Sequence, residues 1–202
     1  METKINIELT SEHKIWFTSD LHFGHKNVIK FCRRPFVDVK EMNSKLVENW
    51  NEVVSNEDLV FVLGDFSWWD SNTEIQKILK QLKGKTIYLI PGNHDSKKGF
   101  RELPERVQLM NSIVQVWIQK NGEPFVELAL SHYPLMTWSH REKEWCYNFF
   151  GHIHSKEGEI IEGEARMDQD LPLWPRKQYD VGVDNNNYRP IELHEILKKF
   201  NF

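Results

Sequence analysis

Cysteine is scarce in this chain. Its two cysteines, Cys32 and Cys146, lie far apart and form no CxxC pattern. That excludes a disulfide framework and a thiolate zinc knuckle, and points to a reduced, cytosolic protein. Basic excess is missing too: 26 Lys and Arg stand against 30 Asp and Glu, a formal net charge of -4. Such a chain has no field for wrapping a long nucleic acid without a partner, so a small or locally held substrate is expected. No stretch approaches membrane-spanning length, and the opening METKINIELTSEHK has no apolar h-region. There is no internal repeat, low-complexity tract or linker. What is present, 40% hydrophobic and 28% charged residues over 202 positions, suits one globular domain spanning residues 1–202, cytoplasmic and away from membranes.

The apolar pattern divides the chain into elements. Ile15-Trp16-Phe17 reads as a strand that runs into Ser19-Asp20-Leu21-His22-Phe23-Gly24-His25. A short helix is expected near Lys26 to Cys32, and a longer one from Val39 to Val54. Asp38 and Glu41 resemble a capping box there, and Met42, Leu46, Trp50 and Val53 share a face. Leu59 to Leu63 has the unbroken apolar character of a buried parallel strand and ends in Gly64-Asp65. Ser71 with Glu74 can cap a helix carrying Ile75, Ile78, Leu79 and Leu82, before a strand from Thr86 to Ile90 that stops at Pro91-Gly92-Asn93-His94-Asp95. Ile113 to Gln119, the Asn121-Gly122 turn and Phe125 to Leu130 predict a β-hairpin ending at Ser131-His132. Tyr147 to Phe150 ends at Gly151-His152-Ile153-His154, Tyr179 to Val183 runs into Asp184-Asn185, and Pro190 to Phe200 predicts a closing helix. A βαβαβ first half therefore precedes a second half expected to be mostly hairpin-connected.

Chemistry-bearing residues recur where strands end. Of nine histidines, His22, His94, His132, His152 and His154 lie at strand ends, beside Asp20, Asp65 and Asn93. The carboxyl ends of strands form the ligand crevice of open α/β sheets. Side chains two apart in an extended segment point the same way, so Asp20 and His22 are expected to reach one point. The donor set is mixed nitrogen and oxygen with no thiolate, which suits manganese, iron or zinc better than an all-oxygen calcium cage. There are too many ligands for one ion. That points to two ions about 3.5–4 Å apart clamping a phosphoryl group.

Taken in order, DLH, GD, GNHD, a lone SH and GHIH, each after a strand, resemble the motifs of the calcineurin-like metallophosphoesterase superfamily over Asp20 to His154. The resemblance implies an α/β fold: a four-layer α-β-β-α sandwich of two mixed sheets flanked by helices, small and without a cap domain, with its metal site at the strand carboxyl ends. It implies two divalent ions per chain, manganese first, with iron, zinc, nickel or magnesium as alternatives. Asp20, His22 and His154 would hold one ion, Asn93, His132 and His152 the other, and Asp65 would bridge them. A metal-bridging hydroxide would attack phosphorus, His94 would protonate the leaving oxygen, and Asp95 would orient His94 and favour its charged form.

Around that set, alternatives stay open. His25 either faces the phosphate from the rim or caps the next helix, and Gly24 is expected to let the backbone pass close to the site. Arg33 and Arg34 are candidates for a bidentate phosphate clamp, or else a solvated helix end before Pro35. Lys26 and Asn27 read as phosphate contacts or as a helix start, and Asp184-Asn185 as substrate-facing or a plain turn. Trp68, Trp69 and Trp138 either stack on a nucleobase or cover the sheet edge. The favoured substrate is a small phosphodiester, cyclic, dinucleotide or another small nucleotide. Phosphomonoesterase, partner-dependent nuclease and non-catalytic scaffold are the competing readings.

Overall fold

A computed structural model describes residues 3–156 and 177–201. In chain order its elements are β1 (Thr3–Leu9), β2 (Ile15–Thr18), α1 (Val28–Phe31), α2 (Val39–Val53), β3 (Leu59–Leu63), α3 (Asn72–Leu79), β4 (Thr86–Ile90), β5 (Val107–Leu109), β6 (Ile113–Lys120), β7 (Glu123–Ser131), β8 (Cys146–Phe150), β9 (Gln178–Asp180), β10 (Ile191–Glu192) and α4 (Leu193–Lys199). They form two five-stranded sheets, ordered β1-β6-β7-β8-β9 and β10-β2-β3-β4-β5. Both are mixed, and with their flanking helices they make the α/β sandwich expected from the sequence. No helix among the described residues is long and apolar enough to cross a membrane.

Alternation along β3 explains the layering. Phe61 and Leu63 point into the core between the sheets, with Phe17 of β2 and Leu128, Leu130 and Phe149 of the opposite sheet. Val60 and Val62 point the other way, against Met42, Leu46 and Trp50 of α2 and Ile75 and Leu79 of α3. A strand covered on both faces has no use for polar residues, hence the unbroken LVFVL. Phe17 stacks on Phe61 at 5.5 Å and meets Phe149 edge-on at 5.0 Å, which locks one sheet to the other. On the far side of the second sheet, residues 133–145 supply the cover. Leu135 bonds Asn148 and Gln178, Ser139 accepts from the Cys146 thiol, and His140 pairs with Glu127. Helix α4 closes the rim of the inter-sheet core with Leu193, Ile196 and Leu197.

Several connections differ from the sequence expectation. The β6–β7 hairpin forms at Asn121-Gly122, but β8 pairs parallel to both β7 and β9. The second half is therefore not mostly hairpin-connected, because residues 132–145 are long enough for a crossover. β1 is an added edge strand, parallel to β6. The closing segment begins as β10, antiparallel to β2, before turning helical. Asp38 caps α2 as expected, accepting from the Lys40 and Glu41 N–H groups, whereas the Ser71 side chain makes no cap bond to α3.

β2, β3 and β4 are parallel neighbours, so their carboxyl ends lie side by side. At the opposite end Asp58 ties the sheet together. Its carboxylate accepts from the N–H groups of Lys14 and Ser55 at 2.8 Å each and from the Trp16 indole at 3.0 Å. Burial opposes the charge, but these hydrogen bonds outweigh it and hold the Asp58 pKa below the usual range. Asp58→Ala should therefore cost about 2–3 kcal/mol at neutral pH by urea denaturation, since it strands buried donors. A carboxylate with a depressed folded pKa stabilises above its unfolded value and loses that contribution as pH falls. The gap between variant and wild type should accordingly begin to close below about pH 4.

Candidate metal centre

The loops after β2, β3 and β8 do not continue as extended chain. Asp20, His22, Asp65, His152 and His154 all have positive φ, between 48° and 73°. Asp20 and His22 thus converge through two left-handed residues rather than through strand alternation. Each such residue costs about 1–3 kcal/mol unless its surroundings hold it. Here neighbouring loops do so. Asp20 and His22 donate their N–H groups to the Gly64 and Asp65 carbonyls at 3.0 and 2.9 Å, and Ser19 Oγ donates to Leu63 at 2.8 Å. Gly151 keeps an ordinary φ but must be glycine for space, because a Cβ there would fall 1.9 Å from Ser19 Oγ and 2.5 Å from Asp20 Oδ2. Gly24, at φ +82°, makes room for the Trp69 indole rather than for the metal cluster.

Within this frame Asp20, His22 and His154 bring ligand atoms within 4.8 Å of one another, and so do Asp20, Asp65 and His132. His22 Nε2 and His154 Nε2 are 3.3 Å apart. Asp65 Oδ2 lies 3.5 Å from both His22 Nε2 and His132 Nε2, between the two groups. His132 Nε2 sits 3.0 Å from Asn93 Oδ1, and the His152 ring meets the His132 ring edge-on at 5.1 Å. The His152 N–H donates to Asp20 Oδ2 at 2.9 Å.

The nitrogen–oxygen donor set and an orphaned buried carboxylate oxygen fit divalent cations. His132 Nδ1 faces the Leu63 carbonyl at 2.8 Å and must carry the proton there, which aims Nε2 at Asn93 Oδ1; burial opposes the charge, but Asp65 and Asp20 outweigh it and push this imidazole's pKa up. His154 Nδ1 is likewise committed to Asp184 Oδ2 at 2.7 Å; burial opposes the charge, but Asp184 outweighs it and pushes this imidazole up to about 11, with Nε2 3.3 Å from His22 Nε2. Asp20 Oδ1 is buried without a hydrogen-bond partner, 3.8 Å from His154 Nε2. Imidazoles and carboxylates converging this closely, with Asp20 Oδ1 left without a hydrogen bond, are what a divalent ion satisfies as it displaces the imidazole protons. Burial drives His22 down to about 2 and so keeps it neutral, the form that ligates. Burial raises Asp65, but the hydrogen bond and charge of the His132 imidazole outweigh it and hold that carboxylate at about 2.

Other candidates are placed differently from expectation. Arg34 is buried, and all five of its N–H groups are used: Nε and Nη2 on Asp184 at 3.0 and 2.7 Å, Nη2 also on the Asp20 carbonyl at 2.6 Å, and Nη1 on the Leu21 carbonyl and Met42 sulfur. No donor remains for a phosphate, so Arg34 is not a substrate clamp. It holds Asp184, which in turn fixes the His154 ring. Asp184 is thus neither a plain turn nor a substrate contact; the only sign of it in the sequence is a carboxylate directly after the last strand. Arg33 is exposed at positive φ just beyond α1; its backbone N–H donates to the Lys30 carbonyl at 3.3 Å, and its side chain makes no hydrogen bond or ion pair among the described residues. Lys26 and Asn27 are exposed, with Asn27 in the N-cap position of α1.

His94 is exposed on the rim. Its N–H donates to Asp65 Oδ1 at 2.9 Å and its ring lies 5.4 Å from that of His22. Asp95 does not orient it. The Asp95 oxygens accept from the backbone N–H groups of Gly92 and Ser67 at 2.9 and 3.3 Å, tying the β4 loop to the β3 loop. Burial pushes this carboxyl up to about 6. His25 does not cap α1. It lies against the cluster, 5.2 Å from the His22 ring and stacked on Trp68. Trp69 packs over Gly24, Trp138 is half-buried, and Trp68 stays exposed.

Comparison with known proteins bears on the family and the fold. The profile of the calcineurin-like phosphoesterase family matches residues 13–156. The chain is 32% identical over 193 residues to an uncharacterized protein of Methanocaldococcus jannaschii, covering 93% of this chain and 92% of the relative. It is 27% identical over 185 residues to the Gene 66 protein of Mycobacterium phage L5, covering 84% and 86%. A crystal structure of a protein of unknown function from Aquifex aeolicus superposes with a TM-score of 0.64 at 28% identity, covering 92% of this chain and 98% of that one.

The Arg34–Asp184 pair is buried on both sides at 2.7 Å. Arg34→Met should leave Asp184 without its cation and cost about 3–5 kcal/mol in urea denaturation. Arg34→Lys should rescue little, because a point charge cannot replace the fork that spans Asp184 and two carbonyls.

Proposed function

The chain belongs to the calcineurin-like phosphoesterase family, and on that premise we propose that it is a dinuclear metal-dependent hydrolase of small phosphodiesters, with nucleotide esters favoured. The observation that carries this is Asp65 Oδ2, which lies 3.5 Å from an imidazole of each ligand group. Asp20, His22 and His154 would hold one ion, Asn93, His132 and His152 the other, and Asp65 would serve both groups. Two divalent ions in this set, manganese first, supply charge to the phosphoryl oxygens and acidify a water at neutral pH. Only two carboxylates stand among the ligands, so the loaded site is positive and attracts an anion, although the chain as a whole carries -4.

The chain's own groups complete the chemistry. His94 has its backbone anchored on Asp65 and its ring on the open rim, where it can hold a proton for the departing oxygen. Asp95 keeps the His94 loop in place through backbone bonds. A diester is favoured over a monoester on two grounds. Arg34 has no donor to meet a second phosphate charge, and exposed side chains border the cluster both at Trp68 and Phe31, beside His25, and at Tyr133, 4.4 Å from the His152 ring. Two ester substituents therefore have room.

The test strips metal with a chelator, restores Mn²⁺, counts bound ions and follows turnover of bis-p-nitrophenyl phosphate and of an alkyl diester. Both should be hydrolysed only with metal. His94→Asn should keep its ions and lose about 10²–10⁴-fold on the alkyl ester, less on the nitrophenyl ester, whose leaving group needs little acid help. Undiminished alkyl turnover would remove His94 from the reaction. Asp65→Ala should lose ions and activity together; two retained ions would contradict its shared position. Silence with both ions bound would favour a scaffold, and preference for monoesters a phosphatase.

A further inference from the structure

Trp68 is 49% exposed and Phe31 75% exposed, both beside the centre. Trp68 is nonetheless held firmly. Its N–H donates to the Phe23 carbonyl at 2.9 Å, Phe23 bridges Ser67, and the next residue, Trp69, is packed over Gly24. The indole lies flat on His25, centroids 4.0 Å apart and planes within 8°. It is 4.9 Å from the His94 ring, and Phe31 stands perpendicular to His25 at 6.4 Å. Trp69 already does the packing that a core needs at this loop, so Trp68 is a rigid, water-facing ring with no burial to justify it. It adjoins His94, the side chain positioned to meet a leaving oxygen. A planar group on the leaving alcohol would reach it directly.

We infer that Trp68, backed by His25 and flanked by Phe31, is a stacking subsite for the base of a nucleotide ester, placed on the leaving-group side. The inference rests on the phosphoesterase reading for where the phosphate lies, but the stack itself can be read by binding alone. A pre-set ring on an ordered support gives base recognition little ordering cost, and stacking is tolerant of which base is bound.

Isothermal titration of the Mn²⁺-loaded protein with AMP and with ribose 5-phosphate, its base-less counterpart, tests this. Wild type should bind AMP roughly 5–150-fold more tightly, the range that base–aromatic stacking supplies. Trp68→Leu keeps an apolar side chain without the aromatic face, and should bring that ratio close to unity. Ribose 5-phosphate affinity, bound metal and melting temperature should stay unchanged. Trp68→Phe should keep most of the preference, and guards against a Leu variant that folds poorly. Equal affinities in wild type, or a ratio that survives Trp68→Leu, would overturn the subsite. An intact AMP preference alongside silent diester turnover would overturn the hydrolytic reading and leave the subsite standing.

Discussion

Every distance in the candidate centre depends on the parallel pairing of β2, β3 and β4. The register sets Thr18 beside Val62 and Val62 beside Leu89, so the three chains leave the sheet at one edge. Backbone bonds carry the alignment past the strands, from Asp20 to Gly64 and from His22 to Asp65. The second sheet adds its own parallel pair, β7 and β8, with Gly151 donating to the His132 carbonyl. Ligands from five loops therefore meet because the strands before them are already fixed by buried side chains.

The two ends of the first sheet divide stability and chemistry. At the amino end Asp58 is fully bonded by Lys14, Ser55 and Trp16, and the cluster above it is apolar. At the carboxyl end left-handed residues, buried carboxylates and crowded imidazoles accumulate, an arrangement that opposes folding. The Arg34–Asp184 pair holds part of it in place. It spans the first loop, through the Asp20 and Leu21 carbonyls, and the loop after β9, through Asp184, which in turn holds His154 of the loop after β8. One buried guanidinium thus fixes the backbone of one candidate ligand and the ring of another.

The elements around the site were legible because they are buried on both faces. LVFVL and the apolar stripe of α2 admit few alternatives, and the histidines that follow such strands have no packing role to explain them. β1 was legible in principle. Ile5, Ile7 and Leu9 alternate with Lys4, Asn6 and Glu8, but an edge strand far from its partner carries no local mark of where it pairs. The parallel course of β8 was hidden for a similar reason, since a strand's direction is set by the crossover before it and not by its own residues.

The sequence by itself determined the donor set, its order and the family to which the chain belongs. It did so because metal chemistry selects residue types, and strand ends mark themselves by a change in hydrophobicity. Only the tertiary structure decided what neighbours do with those residues. It turned Arg34 inward to Asp184, gave Asp95 to the backbone of its own loop, and laid Trp68 on His25. Each of these is a contact between segments far apart in the chain or a choice between two nearby partners. Distance and direction decide such contacts, and neither is written in residue identity.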